Sequence, residues 1–177
     1  SFNTGIFTNL SQDHLDYHKN INNYLKAKLY LFEKLIKKNG NIITDEKIPE
    51  FKKIKNIASN KHLNLCSLFN KKNNFQLLSH QYEDESQLLE IRYNNVIHKI
   101  KLNLIGKIQL KNVLMAVIAS IKSNVKIKDI LEVIPKIKTV EGRFDRVGRI
   151  KNNSKVILDY AHTPDALKIC LKNLKEQ

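Results

Sequence analysis

Apolar and polar positions follow two different periods along this chain. Between positions 21 and 36, Ile21, Tyr24, Leu25, Leu29, Leu31, Phe32, Leu35 and Ile36 fall on one arc of a helical wheel. Asn22, Asn23, Lys26, Glu33, Lys34 and Lys37 fall on the other side. This spacing predicts an amphipathic helix over 20–38, stopped by Asn39-Gly40. Residues 2–9 read as a buried strand running into a polar loop. Short strands are predicted at 41–44 and 63–69, with a lysine-rich helix at 49–60 between them. Strand, helix, strand, helix, strand is the order of a parallel, helix-covered sheet, so the fold class is α/β.

The period then changes. Residues 75–82, 88–93 and 96–104 read as three successive strands, with Asn94-Asn95 as the turn of a hairpin. They predict a small antiparallel sheet attached to the α/β body. Residues 109–123 are apolar on most sides and predict a deeply buried helix. A second helix over 127–134 ends at Pro135. Residues 140–149 read as a connector entering a strand, and 155–158 as a short strand ending at Asp159. Thr163-Pro164-Asp165 is a strong helix start, with an N-cap, a proline in the first turn and an acid beside it. One strand and one helix do not complete a domain. The expected organisation is the later part of one domain over 1–140, with a linker and the truncated start of a second over 141–177.

Lys28 breaks the pattern, because it points to the middle of the apolar arc. Lysine is seldom buried without a partner. Two readings stand: the side chain snorkels past its neighbours to water, or it reaches inward to a site built with the loop before it.

Composition narrows the partners. Of the 177 residues 42% are apolar, enough for a core. No apolar run approaches the length of a membrane span, and the first residues lack the basic region of a signal peptide. No membrane contact is expected. The first residue is not Met, which reads as a fragment. Cys66 and Cys170 make no ligand or redox spacing, so a cytoplasmic location is expected. The net charge of +14 comes from 31 basic against 17 acidic residues. A basic nucleic-acid-binding module is the alternative of another class. The lysines are scattered over helix faces without interleaved aromatics, so no nucleic acid is expected. Only four of the basic residues are arginines, and Arg143, Arg146 and Arg149 lie within seven positions. Such a concentration marks a place where a guanidinium fork matters.

Four strings carry candidate chemistry. TNLSQDHLDYH (8–18) is followed about ten residues on by AK (27–28). GKIQLKNVLMA spans 106–116, EGRFDRV 141–147 and DYAHTPDAL 159–167. In this order and type they resemble the Mur ligase family, most nearly its members that add the third residue of the muramoyl peptide. The resemblance implies a partial central ATP-binding domain, a mixed sheet with helices plus a small antiparallel sheet, followed by the first β-α unit of a C-terminal Rossmann-like domain. It implies ATP and Mg2+ as cofactors. UDP-MurNAc-dipeptide and a diamino acid, meso-diaminopimelate or L-lysine, are the implied substrates, and a monomer the implied state. His14 would ligate magnesium together with Lys28 as a carbamate. Asn112 would contact adenine, Arg143 the phosphates, and Asp159 the ribose, with His162 nearby. Gln109 stands where the family has asparagine, and Asp145 where it has glutamate.

The implied reaction phosphorylates a carboxylate to an acyl phosphate, which an amine then attacks. No G-x-x-G-K-[ST] phosphate loop occurs in the chain, and the resemblance places it upstream of Ser1. Sister ligases and folylpolyglutamate synthetases share the chemistry, and DHLDYH together with DYAHTPDAL argues against both.

Overall fold

The structure is a computed structural model that describes residues 1–11, 15–70, 74–83 and 86–175. Strands β1 (Phe2–Phe7), β2 (Ile36–Thr44) and β3 (Asn64–Ser67) form a parallel sheet in that order. Helices α1 (Leu15–His18), α2 (Ile21–Tyr30) and α3 (Phe51–Asn60) lie between them in the chain. Adjacent residues of β2 face opposite sides of the sheet. Ile42 joins Phe7, Leu25, Leu29, Phe32, Ile54 and Ala58 beneath α2 and α3, while Ile43 joins the main core on the other face. Cover on both faces is why this strand carries consecutive apolar residues rather than alternating ones.

Two expectations for this half need correction. The first strand is not buried throughout: Phe2 and Ile6 are exposed, while Gly5 and Phe7 are buried. Among the described residues β1 is a sheet edge with one covered face. The long helix also ends early. Its α-helical part stops at Tyr30, a π-helical turn runs over Leu31–Leu35, and Ile36 already pairs with Phe2. The next pair is Thr4 with Asn41, so residues 37–40 bulge out of register. Asn39, at φ 61°, turns the chain within that bulge. Asn39-Gly40 therefore shapes the entry into a strand and does not cap a helix.

The antiparallel sheet is a meander of β4 (Phe75–Glu83), β5 (Ser86–Tyr93) and β6 (Val96–Leu102). Asn94 and Asn95 both take positive φ, 48° and 68°, as a two-residue hairpin turn of this hand requires. Helix α4 (Lys107–Lys122) buries Leu110, Leu114, Met115 and Ile118 in one core with Leu89, Ile91, Ile100 and Leu102 of this sheet. Helix α5 (Ile127–Val133) adds Ile130 to the same core.

The chain ends in a smaller unit. Strands β7 (Asp145–Arg149) and β8 (Lys155–Leu158) form an antiparallel ribbon, followed by α6 (Pro164–Lys175). Thr163 Oγ1 accepts from the Ala166 amide at 3.3 Å, the N-cap anticipated for this helix. The unit packs through a small cluster of Ile105, Phe144 and Cys170, with Ile157, Ala161 and Leu174 against it. Among the described residues no helix is long and apolar enough to cross a membrane.

Candidate functional site

A cleft of about 440 Å³ opens where the main body meets this C-terminal unit. Asn9 and Ser11, beyond the carboxyl end of β1, form one wall. Gly106, Gln109 and Asn112 form the second, and Arg143, Phe144, Asp159, Tyr160 and His162 the third. The carboxyl ends of parallel strands are where open α/β sheets place ligands. The volume lies within the range of small-molecule sites.

Local chemistry fixes each side chain. Gly106 precedes α4 at φ 88°, where a side chain is strained, and a Cβ there would meet the Phe144 ring at 3.2 Å. The helix that follows carries Gln109 and Asn112 three positions apart, hence on one face. Gln109 Nε2 donates to the Arg143 carbonyl at 3.1 Å, tying the helix to the connector. Asn112 is exposed. The Arg143 guanidinium lies over the Tyr160 ring, 4.7 Å from its centroid, a contact a planar cation makes well. Tyr160 also meets the His162 ring edge-on at 5.0 Å.

Asp159 accepts from the Phe144 amide at 2.8 Å and from the Ala161 amide at 2.9 Å, one on each oxygen. An ionised carboxylate accepts about four hydrogen bonds, so these two leave it capacity for a ligand hydroxyl. His162 Nδ1 lies 3.0 Å from the Tyr160 carbonyl. A carbonyl only accepts, so the hydrogen sits on Nδ1. The Cys170 thiol lines the same cleft, and burial pushes its pKa up, with the Asp159 carboxylate adding to the effect.

The structure thus brings Asn112, Arg143, Asp159 and His162 into one cleft from three distant segments. Lys28 is not in its lining. The ammonium is half-buried, 5.0 Å from the Tyr24 ring and 5.3 Å from the Phe7 ring, and donates to the Asn9 carbonyl at 2.6 Å. It therefore reaches the loop before its helix, and through Asn9 the rim of the cleft. Burial lowers its pKa, and the Glu50 carboxylate offsets part of that. His14 lies outside the described residues.

Magnesium prefers hard oxygen ligands. Among the described residues no cluster of three His, Cys, Asp or Glu side chains would hold a metal ion, and an ammonium at Lys28 offers no oxygen. Only as a carbamate would Lys28 suit the ion, and the lowered pKa raises the share of neutral amine that this modification needs.

Tyr160, Asn9, Ser11 and Asn173 also line the cleft and were not singled out by sequence reasoning. Tyr160 had a signal, its place inside the DYAH string. Asn9 and Ser11 sit inside the first string but carry no distinctive chemistry alone. Nothing in the sequence marks Asn173.

Known proteins resemble this chain in sequence and in fold. The model of the Mur ligase middle domain matches residues 1–120. A UDP-N-acetylmuramoyl-L-alanyl-D-glutamate–2,6-diaminopimelate ligase from Rickettsia montanensis is 33% identical over 173 residues, 98% of this chain and 35% of its own length. The Fusobacterium nucleatum protein of the same description is 35% identical, again over 98% of this chain and 35% of its own length. The chain thus spans about a third of the length of the curated relatives it matches. Among solved structures, a MurF from Acinetobacter baumannii superposes with a TM-score of 0.79 at 16% identity, covering 97% of this chain and 37% of its own. A solved 2,6-diaminopimelate ligase of the first type gives 0.74 at 23%, covering 98% and 36%.

Proposed function

The chain belongs to the Mur ligase family, and from that premise we propose that its cleft is the adenine-nucleotide site of an ATP-dependent, amide-forming ligase of peptidoglycan precursor synthesis. In a polypeptide of the relatives' length, that ligase joins a diamino acid to UDP-N-acetylmuramoyl-L-alanyl-D-glutamate. The observation that carries this reading is the convergence of Asn112, Arg143, Asp159 and His162 on one cleft. Residues 141–177 begin a second domain in this reading, and its docking completes the cleft.

The task set by the reaction is to bring a nucleotide triphosphate and a carboxylate together, both anions. The Asn112 amide, on an exposed helical position, reads the adenine edge. The Asp159 carboxylate, oriented by the Phe144 and Ala161 amides, accepts from the ribose hydroxyls. The Arg143 guanidinium, held over Tyr160, stabilises charge that develops on the transferring phosphoryl group. His162 lies beside the nucleotide. His14 and the carbamate of Lys28 would hold magnesium, which when bound would neutralise phosphate charge. The carboxylate oxygen takes the γ-phosphoryl group as the bond to ADP breaks, giving an acyl phosphate; the incoming amine attacks its carbonyl carbon, and the C–N bond forms as phosphate leaves and the amine nitrogen gives up a proton to solvent.

Titration calorimetry of this chain with ADP and magnesium tests the site. Weak, saturable binding is expected, falling about tenfold in Asn112→Ala and in Arg143→Ala, since each removes a hydrogen-bonding or charged contact. Unchanged affinity in both variants overturns the assignment.

A further inference from the structure

Helix α4 begins without a cap of its own. Its N-cap residue is Gly106, which has no side chain, and none caps it locally. The first amides of a helix have no intrahelical acceptor. The Lys107 amide is one of them, and its partner comes from the far side of the cleft. Asn173, near the end of α6, accepts from it through Oδ1 at 2.9 Å. The other end of that side chain is also engaged, because Nδ2 donates to the Ile169 carbonyl at 2.8 Å. This second bond fixes which end of the amide faces Lys107. Asn173 is 6% exposed and lines the cleft, in a helix whose neighbouring Leu171 and Lys172 are exposed. A polar residue buried at that depth is satisfied on both sides or destabilises the fold.

We propose that Asn173 is a positioning residue that caps α4 from the other unit. Docking of the C-terminal unit thereby completes the first turn of the helix carrying Gln109 and Asn112. Other links across this junction are the Gln109 bond to the Arg143 carbonyl, the packing of Phe144 against Gly106, and the cluster of Ile105, Phe144 and Cys170. The cap, the Gln109 bond and the Phe144 packing all act at the start of α4. When the unit lifts away, that turn loses its cap and its anchor together, and the cleft loses the wall bearing Arg143 and Asp159. Closure and the shape of the nucleotide wall are therefore one event. This inference rests on the nucleotide reading for its purpose, and on the geometry alone for the cap.

Hydrogen exchange of the Lys107 amide, measured by NMR on the whole chain without nucleotide, tests the cap. In the native chain this amide is protected, although no acceptor within its helix exists for it. Asn173→Leu keeps the bulk and removes the acceptor, and exchange accelerates about tenfold. Asn173→Asp keeps the acceptor facing Lys107 but loses the donor to the Ile169 carbonyl, so it restores part of the protection. A native Lys107 amide that exchanges at the rate of an unstructured chain overturns the proposal, whether or not the leucine variant folds. So does equal protection in the leucine variant. ADP affinity should fall with the protection in Asn173→Leu and recover in part in Asn173→Asp; affinity unchanged while protection is lost overturns the coupling. If Asn112→Ala and Arg143→Ala both leave ADP affinity unchanged, the nucleotide reading fails while the exchange data still decide the cap.

Discussion

Two single positions carry sharp consequences. Lys28 sits between two aromatic rings with its pKa lowered by burial. Below that pKa the neutral fraction rises with pH, and only the neutral amine adds carbon dioxide. In 13C-bicarbonate, a carbamyl signal should appear in the NMR spectrum of this chain, grow as pH is raised, and be absent from Lys28→Ala. A spectrum that is the same in both leaves Lys28 a snorkelling lysine. In a ligase of the relatives' length, Lys28→Ala should abolish turnover at a stability cost of about 1 kcal/mol, the scale of one lost hydrogen bond. Short carboxylic acids should partly restore turnover. Gly106 is the second position. Gly106→Ala introduces a Cβ at positive φ against the Phe144 ring, and should lower stability by about 1–3 kcal/mol in chemical denaturation.

Local turn chemistry and long-range pairing divide what the elements reveal. The Asn94-Asn95 hairpin is readable from sequence because its signal is confined to two residues. Asn95, at φ 68°, should gain about 0.5 kcal/mol on replacement by glycine, seen as a raised melting temperature. The Thr163 cap and the strand before Asp159 were readable for the same reason. The end of α2 was not. The apolar arc continues through Leu35 and Ile36, and a helical wheel contains no information about Phe2, which pulls Ile36 into a parallel strand. The exposure of Phe2 and Ile6 was hidden likewise, since strand order decides which strand has an uncovered face. At the site, Asn112, Arg143, Asp159 and His162, singled out inside recognisable strings, line the cleft, as do Tyr160, Asn9 and Ser11, which lie in the same strings without a distinctive signal. Asn173 was not singled out, because its role depends on an amide 66 positions away.

Over the whole molecule, hydrophobic support is uneven. The main body has two extended clusters, whereas the C-terminal unit rests on three buried residues and a two-stranded ribbon. A lone ribbon of two strands has little stability of its own. Both cysteines are buried, with pKa values raised mainly by that burial, so both should alkylate slowly in the native chain. Cys170 should nevertheless react well before Cys66, because local opening of the smaller unit exposes it while the main core stays shut. Mass spectrometry of partly alkylated chain would show the order, and equal rates would contradict it. A cleft walled by bodies of unequal strength also behaves in a particular way on heating. Without nucleotide, calorimetry should show a small early transition and a larger late one. A ligand that needs both walls is released once the weaker body melts, so added ADP raises only the early transition. The late one holds its temperature until the two meet, and from that concentration onward the chain melts as a single cooperative unit.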